Sequence, residues 1–166
     1  MRPRRTTATA LSTGDSKAPL SPTIVSHFSA QYIAWERMLY PTGRKSAAAT
    51  IDVREGLGES GYDTVEDSIV IFVAEGDVDD LEARAAEIRT APDKWNLHVN
   101  EIELLHEMVH EMQFKELAGP SADGIALHAT TTNHFAGPGH DETFYTAVIE
   151  VARQLRVTAA HLLQSL

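Results

Sequence analysis

The sequence predicts an α+β domain, and three observations carry that expectation. Apolar residues recur at helical spacing in two long stretches, 22–39 and 100–117. Two shorter runs, 50–55 and 68–75, are alternating or continuously apolar and rich in Ile and Val, as strands are. The 166 residues, 43% hydrophobic and 23% charged, fit one globular domain with a real core, and no internal repeat is visible.

Residues 1–20, rich in Thr, Ser, Ala and Pro with Arg2, Arg4 and Arg5, read as a disordered arm before a domain over 21–166. Ser21-Pro22 offers an N-cap followed by proline at the first helical position. Ile24, Val25, Phe28, Tyr32, Ile33, Trp35, Met38 and Leu39 then predict a helix over 22–39, ended by Pro41-Thr42-Gly43. His27 on it reads as an ordinary, partly buried residue. Strands are expected at 50–55 and 68–75, with Gly56, Gly58 and Gly61 marking the loop between them. A short helix over 79–89 follows, then a turn or short strand at Lys94–Val99 in which His98 is a loop residue.

The next helix is opened by Asn100 with Glu103 as a capping-box variant and closed by Ala118-Gly119-Pro120. Residues 121–139 form a long loop with His128 and His134, and long ordered loops are often functional. From Asp141, the residues Phe144, Ala147, Val148, Val151, Ala152 and Leu155 predict a helix interrupted near Val157-Thr158 and resumed from Ala159.

Composition excludes several classes. No apolar run is long enough to cross a bilayer, and no apolar h-region follows the basic Met1–Arg5, so a cytoplasmic protein without a secretory signal is expected. There is no cysteine, so any metal must be held by His, Asp or Glu. The net charge is −10, and residues 52–87 hold twelve acids against Arg54 and Arg84. That balance reads as a solvated surface and disfavours nucleic acid and anionic lipid as partners.

Chemistry concentrates in the helix over 100–117, where His106-Glu107-Met108-Val109-His110 is H-E-x-x-H. Four residues return a helix to the same face, so both imidazoles can reach one metal ion. Glu107, about 100° round from His106, is placed to hold a metal-bound water rather than to ligate. This suits Zn²⁺ with an open position and a carboxylate base. A catalytic zinc needs a third protein ligand, and His140 at the start of a helix is the best candidate. His134, His128, Asp141 and Glu142 are its rivals.

Leu104-Leu105-His106-Glu107-Met108-Val109-His110, followed by Gly139-His140-Asp141-Glu142-Thr143-Phe144, resembles the SprT-like metalloproteases, which include the Spartan and Wss proteases. The resemblance covers about residues 22–157. It implies a compact zincin-like core, a small antiparallel sheet packed on helices, with zinc on His106, His110 and His140. Three features depart from that family: a longer segment between His110 and His140, no cysteine-based zinc ribbon, and no basic surface for DNA. The function expected is zinc-dependent hydrolysis of peptide bonds in protein substrates, with Glu107 as general base. His134 and Tyr145 are candidate oxyanion donors, and an exposed edge of the 68–75 strand is the expected dock for an extended peptide. The alternative is a catalytically silent metal-binding adaptor or inhibitor, against which the intact Glu107 argues.

Overall fold

The computed structural model describes residues 20–88, 96–117, 140 and 142–163. The arm before Leu20, the Lys94-Trp95 pair, the Ala118-Gly119-Pro120 stop and the loop bearing His128 and His134 lie outside the described residues. So does Asp141. Leu20, the last residue assigned to the arm, is buried in the core.

Helix α1 spans Pro22–Leu39, with Pro22 in the first turn as its fixed φ favours. Ser21 stands at the N-cap, but its hydroxyl makes no capping bond; its backbone carbonyl accepts from Ile24 and Val25. Ile24, Phe28, Tyr32, Trp35 and Leu39 repeat every three or four residues and are all buried, so one face of α1 lines the core.

Three strands, β1 (Thr50–Glu55), β2 (Gly61–Asp63) and β3 (Ser68–Val73), make one sheet in the order β1-β3-β2. β1 pairs with β3 in parallel and β2 pairs with β3 antiparallel, so the sheet is mixed where an antiparallel one was expected. β3 is therefore central and has no free edge, which removes it as a dock for a peptide. Its two-sided burial explains the near-continuous apolar run, since only a strand covered on both faces can carry one. β2 lies where the sequence predicts a loop: three residues are too short for an alternating pattern, and Gly61 has the character of a turn residue. The β2–β3 turn is made by Asp63, whose Oδ1 accepts from the amides of Val65 (2.9 Å) and Glu66 (3.0 Å). Gly58 is needed where it stands, because a Cβ there would meet the Phe72 ring at 2.6 Å.

α2 (Val78–Ile88) buries Leu81 and Ala85. α3 (Val99–Met112) runs through the centre of the molecule against β2, β3 and the C-terminal helices. Its N-cap is His98 rather than Asn100. The His98 Nδ1 accepts from the Asn100 amide at 3.2 Å, and Glu101 Oε2 accepts from the His98 amide at 2.8 Å. This is a capping box shifted two residues towards the N-terminus, with an imidazole in the role usually taken by a hydroxyl or carboxylate. Asn100 does meet Glu103, at 3.0 Å, but as an inward side-chain pair. Beyond Met112 the backbone stays helical yet widens into a π-helical turn over Gln113–Leu117. α4 (Glu142–Leu155) buries Phe144, Ala147, Val148, Val151 and Leu155. The expected interruption falls at Arg156, whose φ of 57° ends α4 before α5 (Ala159–Leu163).

Two buried carboxylates pin α3 to its neighbours. Glu101 accepts from His27 Nε2 (2.8 Å), Gln31 Nε2 (3.0 Å) and Arg84 Nε (2.8 Å), joining α1, α2 and α3. Burial alone would raise its pKa, but the His27 and Arg84 bonds outweigh that and hold it below the usual carboxylate range. His27, expected to be ordinary, is thus a structural partner. Glu111 accepts from Tyr32 Oη (2.9 Å), Arg44 Nη2 (2.8 Å), the Ala49 amide (3.1 Å) and Lys115 Nζ (3.0 Å). Removing one partner of a buried pair strands the other charge. Glu111→Ala should therefore cost about 3–5 kcal/mol in urea unfolding; a loss below about 1 kcal/mol would show that Arg44 and Lys115 rehydrate freely.

Candidate metal centre

His106 and His110 stand one turn apart on α3, and His140 enters from the chain just before α4. Their Nε2 atoms form a triangle: 3.2 Å from His106 to His110, 3.2 Å from His110 to His140 and 3.3 Å from His140 to His106. The three could hold a metal ion. With metal–nitrogen bonds of about 2.0–2.1 Å, sides of this length subtend roughly 105°, close to three corners of a tetrahedron. Phe144, wholly buried, sits beneath all three rings at centroid distances of 5.3, 4.7 and 4.4 Å from His106, His110 and His140. Its place four residues after His140 couples that ligand to the core packing of α4.

The far side of the rings decides which nitrogen is free. His106 Nδ1 lies 2.7 Å from the carbonyl oxygen of Leu162 in α5. A carbonyl only accepts, so Nδ1 carries the proton and Nε2 keeps its lone pair. His110 Nδ1 lies 3.1 Å from Gln113 Oε1, while Gln113 Nε2 donates to Thr143 Oγ1 at 2.9 Å. The donation to Thr143 orients the amide so that its oxygen faces His110, which again leaves Nε2 free. Such partners set ring orientation and ligand basicity.

Glu107 is buried on α3, directly after His106. Burial pushes it up to about 8, the Tyr62 amide opposes this, and the negative fields of Glu103 and Glu59 add to it. Burial lowers His106 and takes His110 down to about 4, with His106 beside it adding repulsion. Burial also lowers His140, the most exposed of the three. Neutral imidazoles are the form a metal requires.

Of the four residues expected in the site, His106, His110 and His140 are brought together by their Nε2 atoms, and Glu107 follows His106 on α3 as a buried carboxylate. Of the rival ligands, His128, His134 and Asp141 lie outside the described residues, and Glu142 is exposed in the first turn of α4. Tyr145 is half exposed, its ring 5.7 Å from Phe144. Sequence reasoning missed Leu162, Gln113 and Thr143. Gln113, three residues past His110 on the same helical face, could have been found from spacing. The Leu162 carbonyl carries no sequence signal. Comparison with family models, curated proteins and solved structures finds no match.

Two outcomes follow from this geometry. Gln113→Ala should weaken metal binding by roughly 10–100-fold in competition with a chromophoric chelator. Gln113→Glu, which keeps an acceptor for His110 Nδ1, should bind nearly as well as wild type; equal losses in both would deny the orienting bond.

The second concerns pH in the metal-free chain. Unfolded, Glu107 ionises near 4.5 and His110 near 6.5; folded, they do so near 8 and 4. As pH falls from 6.5 to 4 the unfolded chain gains a His110 proton that the fold refuses, so acid destabilises. As pH rises from 4.5 to 8 the unfolded chain loses a Glu107 proton that the fold retains, so base destabilises. The two effects oppose below 6.5, and above it Glu107 acts alone. The Tm of the metal-free protein should fall between pH 6.5 and 8, and Glu107→Gln should flatten that slope; parallel curves for the two proteins would contradict it.

Proposed function

We propose that the chain is a zinc-dependent endopeptidase with a zincin-like, SprT-like core. The observation that carries this reading is the convergence of three imidazole Nε2 atoms beside a buried carboxylate. The donor set supports zinc: three neutral nitrogens at near-tetrahedral spacing, with no thiolate in the chain. Bound there, zinc would bring the pKa of a water towards neutrality and polarise a scissile carbonyl.

The chain's own residues supply the rest. Leu162 and Gln113 hold His106 and His110 with Nε2 forward, and Phe144 packs against all three rings. Glu107 accepts the proton of the attacking water and delivers it to the leaving amine. Its burial suits that exchange, since a base held close to neutrality can both take and return a proton. A cation on the imidazoles would draw it back towards the ionised form that accepts. Glu107 is also set apart on its own helix: Glu101 and Glu111 are each bonded to cations, whereas among the described residues none is paired with Glu107. A buried carboxylate with a perturbed pKa and no balancing charge is a candidate for chemistry rather than structure.

β3 is the central strand and cannot align an extended substrate by strand addition. The net charge of −10 supports a polypeptide substrate over nucleic acid.

The test combines metal content with hydrolysis. The purified protein should carry about one zinc per chain. Glu107→Gln should keep that zinc and lose roughly two to four orders of magnitude in cleavage of an unstructured protein such as casein. His140→Ala should lose both zinc and cleavage. Zinc bound without any hydrolysis by the wild type would leave a metal-binding adaptor; no zinc uptake at all would remove the site.

A further inference from the structure

The π-helical turn over Gln113–Leu117 directly follows the helix that bears His106 and His110, and nothing in its own sequence demands it. It holds no glycine or proline, and Gln, Lys, Glu and Leu all favour an ordinary α-helix. Turns of this kind are rare, occur mostly singly and often lie at functional sites. The shape is therefore imposed by what the turn touches.

Lys115 makes most of those contacts. An ammonium has three donors, and here each has a partner: the Ala47 carbonyl at 2.8 Å, Glu111 Oε1 at 3.0 Å and Asp67 Oδ1 at 2.6 Å. The three partners lie on separate segments, the chain before β1, the end of α3 and the β2–β3 turn. The ammonium also stands 5.8 Å from the centroid of the Tyr62 ring on β2. With the side chain only 10% exposed, water cannot readily replace these partners. On either side, Phe114 packs edge-on to Tyr62 at 6.1 Å, and Glu116 Oε1 accepts from Ser46 Oγ at 2.7 Å. One flank of the turn is thus pinned to the sheet and to the chain leading into it.

The start of the same turn serves the imidazoles. Gln113, wholly buried, reaches His110 Nδ1 at 3.1 Å with its oxygen and Thr143 Oγ1 at 2.9 Å with its nitrogen. Gln113 is only two residues from Lys115, so a backbone held at 115 leaves little freedom at 113. The bond to His110 has little slack, since a shift of about 0.5 Å would take it out of range.

We infer that Lys115 is a positioning residue for the metal centre: by pinning the π-helical turn to the sheet it fixes Gln113 and, through Gln113, the ring of His110. This deepens the proposed reading of the site, but the positioning can be tested without metal or cleavage.

Lys115→Met keeps the apolar stem and removes all three donors. The first measurement is ¹⁵N NMR of the imidazoles in the metal-free protein at neutral pH. In the wild type both His106 and His110 should carry the proton on Nδ1. In Lys115→Met, His110 should become a mixture that includes the Nε2–H form, while His106, bonded to the Leu162 carbonyl, should not change. A lysine that only stabilises the fold would leave both rings alone or disturb both alike, and either result would overturn the inference. The second measurement is zinc affinity by chelator competition. Lys115→Met should lose about ten-fold, the lower end of the range for groups behind a ligand. In a Gln113→Ala background the same substitution should cost nothing further. Equal losses in the two backgrounds would show that Lys115 does not act through Gln113. Should the methionine variant not fold, Lys115→Gln, which keeps neutral donors, takes its place under the same criteria. A wild type that takes up no zinc would sink the metal reading, and the imidazole spectra would still decide the role of Lys115.

Discussion

A helix that carries three carboxylates, two imidazoles and an amide into a hydrophobic core is stabilised when those groups find partners there. α3 meets that demand at Glu101, His106, His110 and Glu111, and most of the molecule follows from how it does so. Glu101 draws α1 and α2 to the start of the helix, and Glu111 draws α1 and the segment before β1 to its end. The helix is thereby fixed at both ends against elements on one side. The other side is free to face α4 and α5, and that is where the imidazoles point. The pairs at the ends and the donors beyond the histidine rings belong to one arrangement: polar groups inside the core are oriented because leaving them unpaired costs more than ordering them.

That arrangement also separates structure from chemistry along a single helix. At positions 101 and 111 the carboxylates are neutralised by cations. At position 107 burial, unopposed by a cation and reinforced by the negative fields of Glu103 and Glu59, makes the acid resist ionisation. Burial on its own does not distinguish the three, since all are nearly inaccessible. What distinguishes them is the sign of what surrounds each.

Much of this was legible beforehand, in proportion to how local the cause is. α1 and β1 fall on the expected residues, because a proline-led apolar stripe and a six-residue alternation are decided within a few turns of chain. The break before α5 was visible in Val157-Thr158 for the same reason. His106 and His110 were legible because helical spacing places them on one face. His140 needed tertiary structure to be brought to them across 30 positions. The failures share the opposite character. The parallel pairing of β1 with β3, the insertion of β2 at an edge and the central place of β3 depend on which strands meet, and no local pattern encodes that. His98 caps α3 where a loop residue was expected, because imidazoles seldom serve as caps and its pairing depends on where Glu101 is held by α1 and α2.

The Leu162 carbonyl behind His106 differs in kind from the Gln113 amide behind His110. A side-chain partner can be lost to one substitution. A backbone carbonyl survives every replacement at its own position that leaves α5 in place, so the orientation of His106 is buffered against mutation at residue 162 while remaining hostage to the docking of the helix as a whole. The five-residue α5, held by little more than buried Leu162 and its neighbours, is thereby a mechanical link between the end of the described chain and the imidazole cluster. Anything that lifts that short helix, whether a fused extension, a clipped terminus or a competing apolar surface, reaches His106 without touching any ligand.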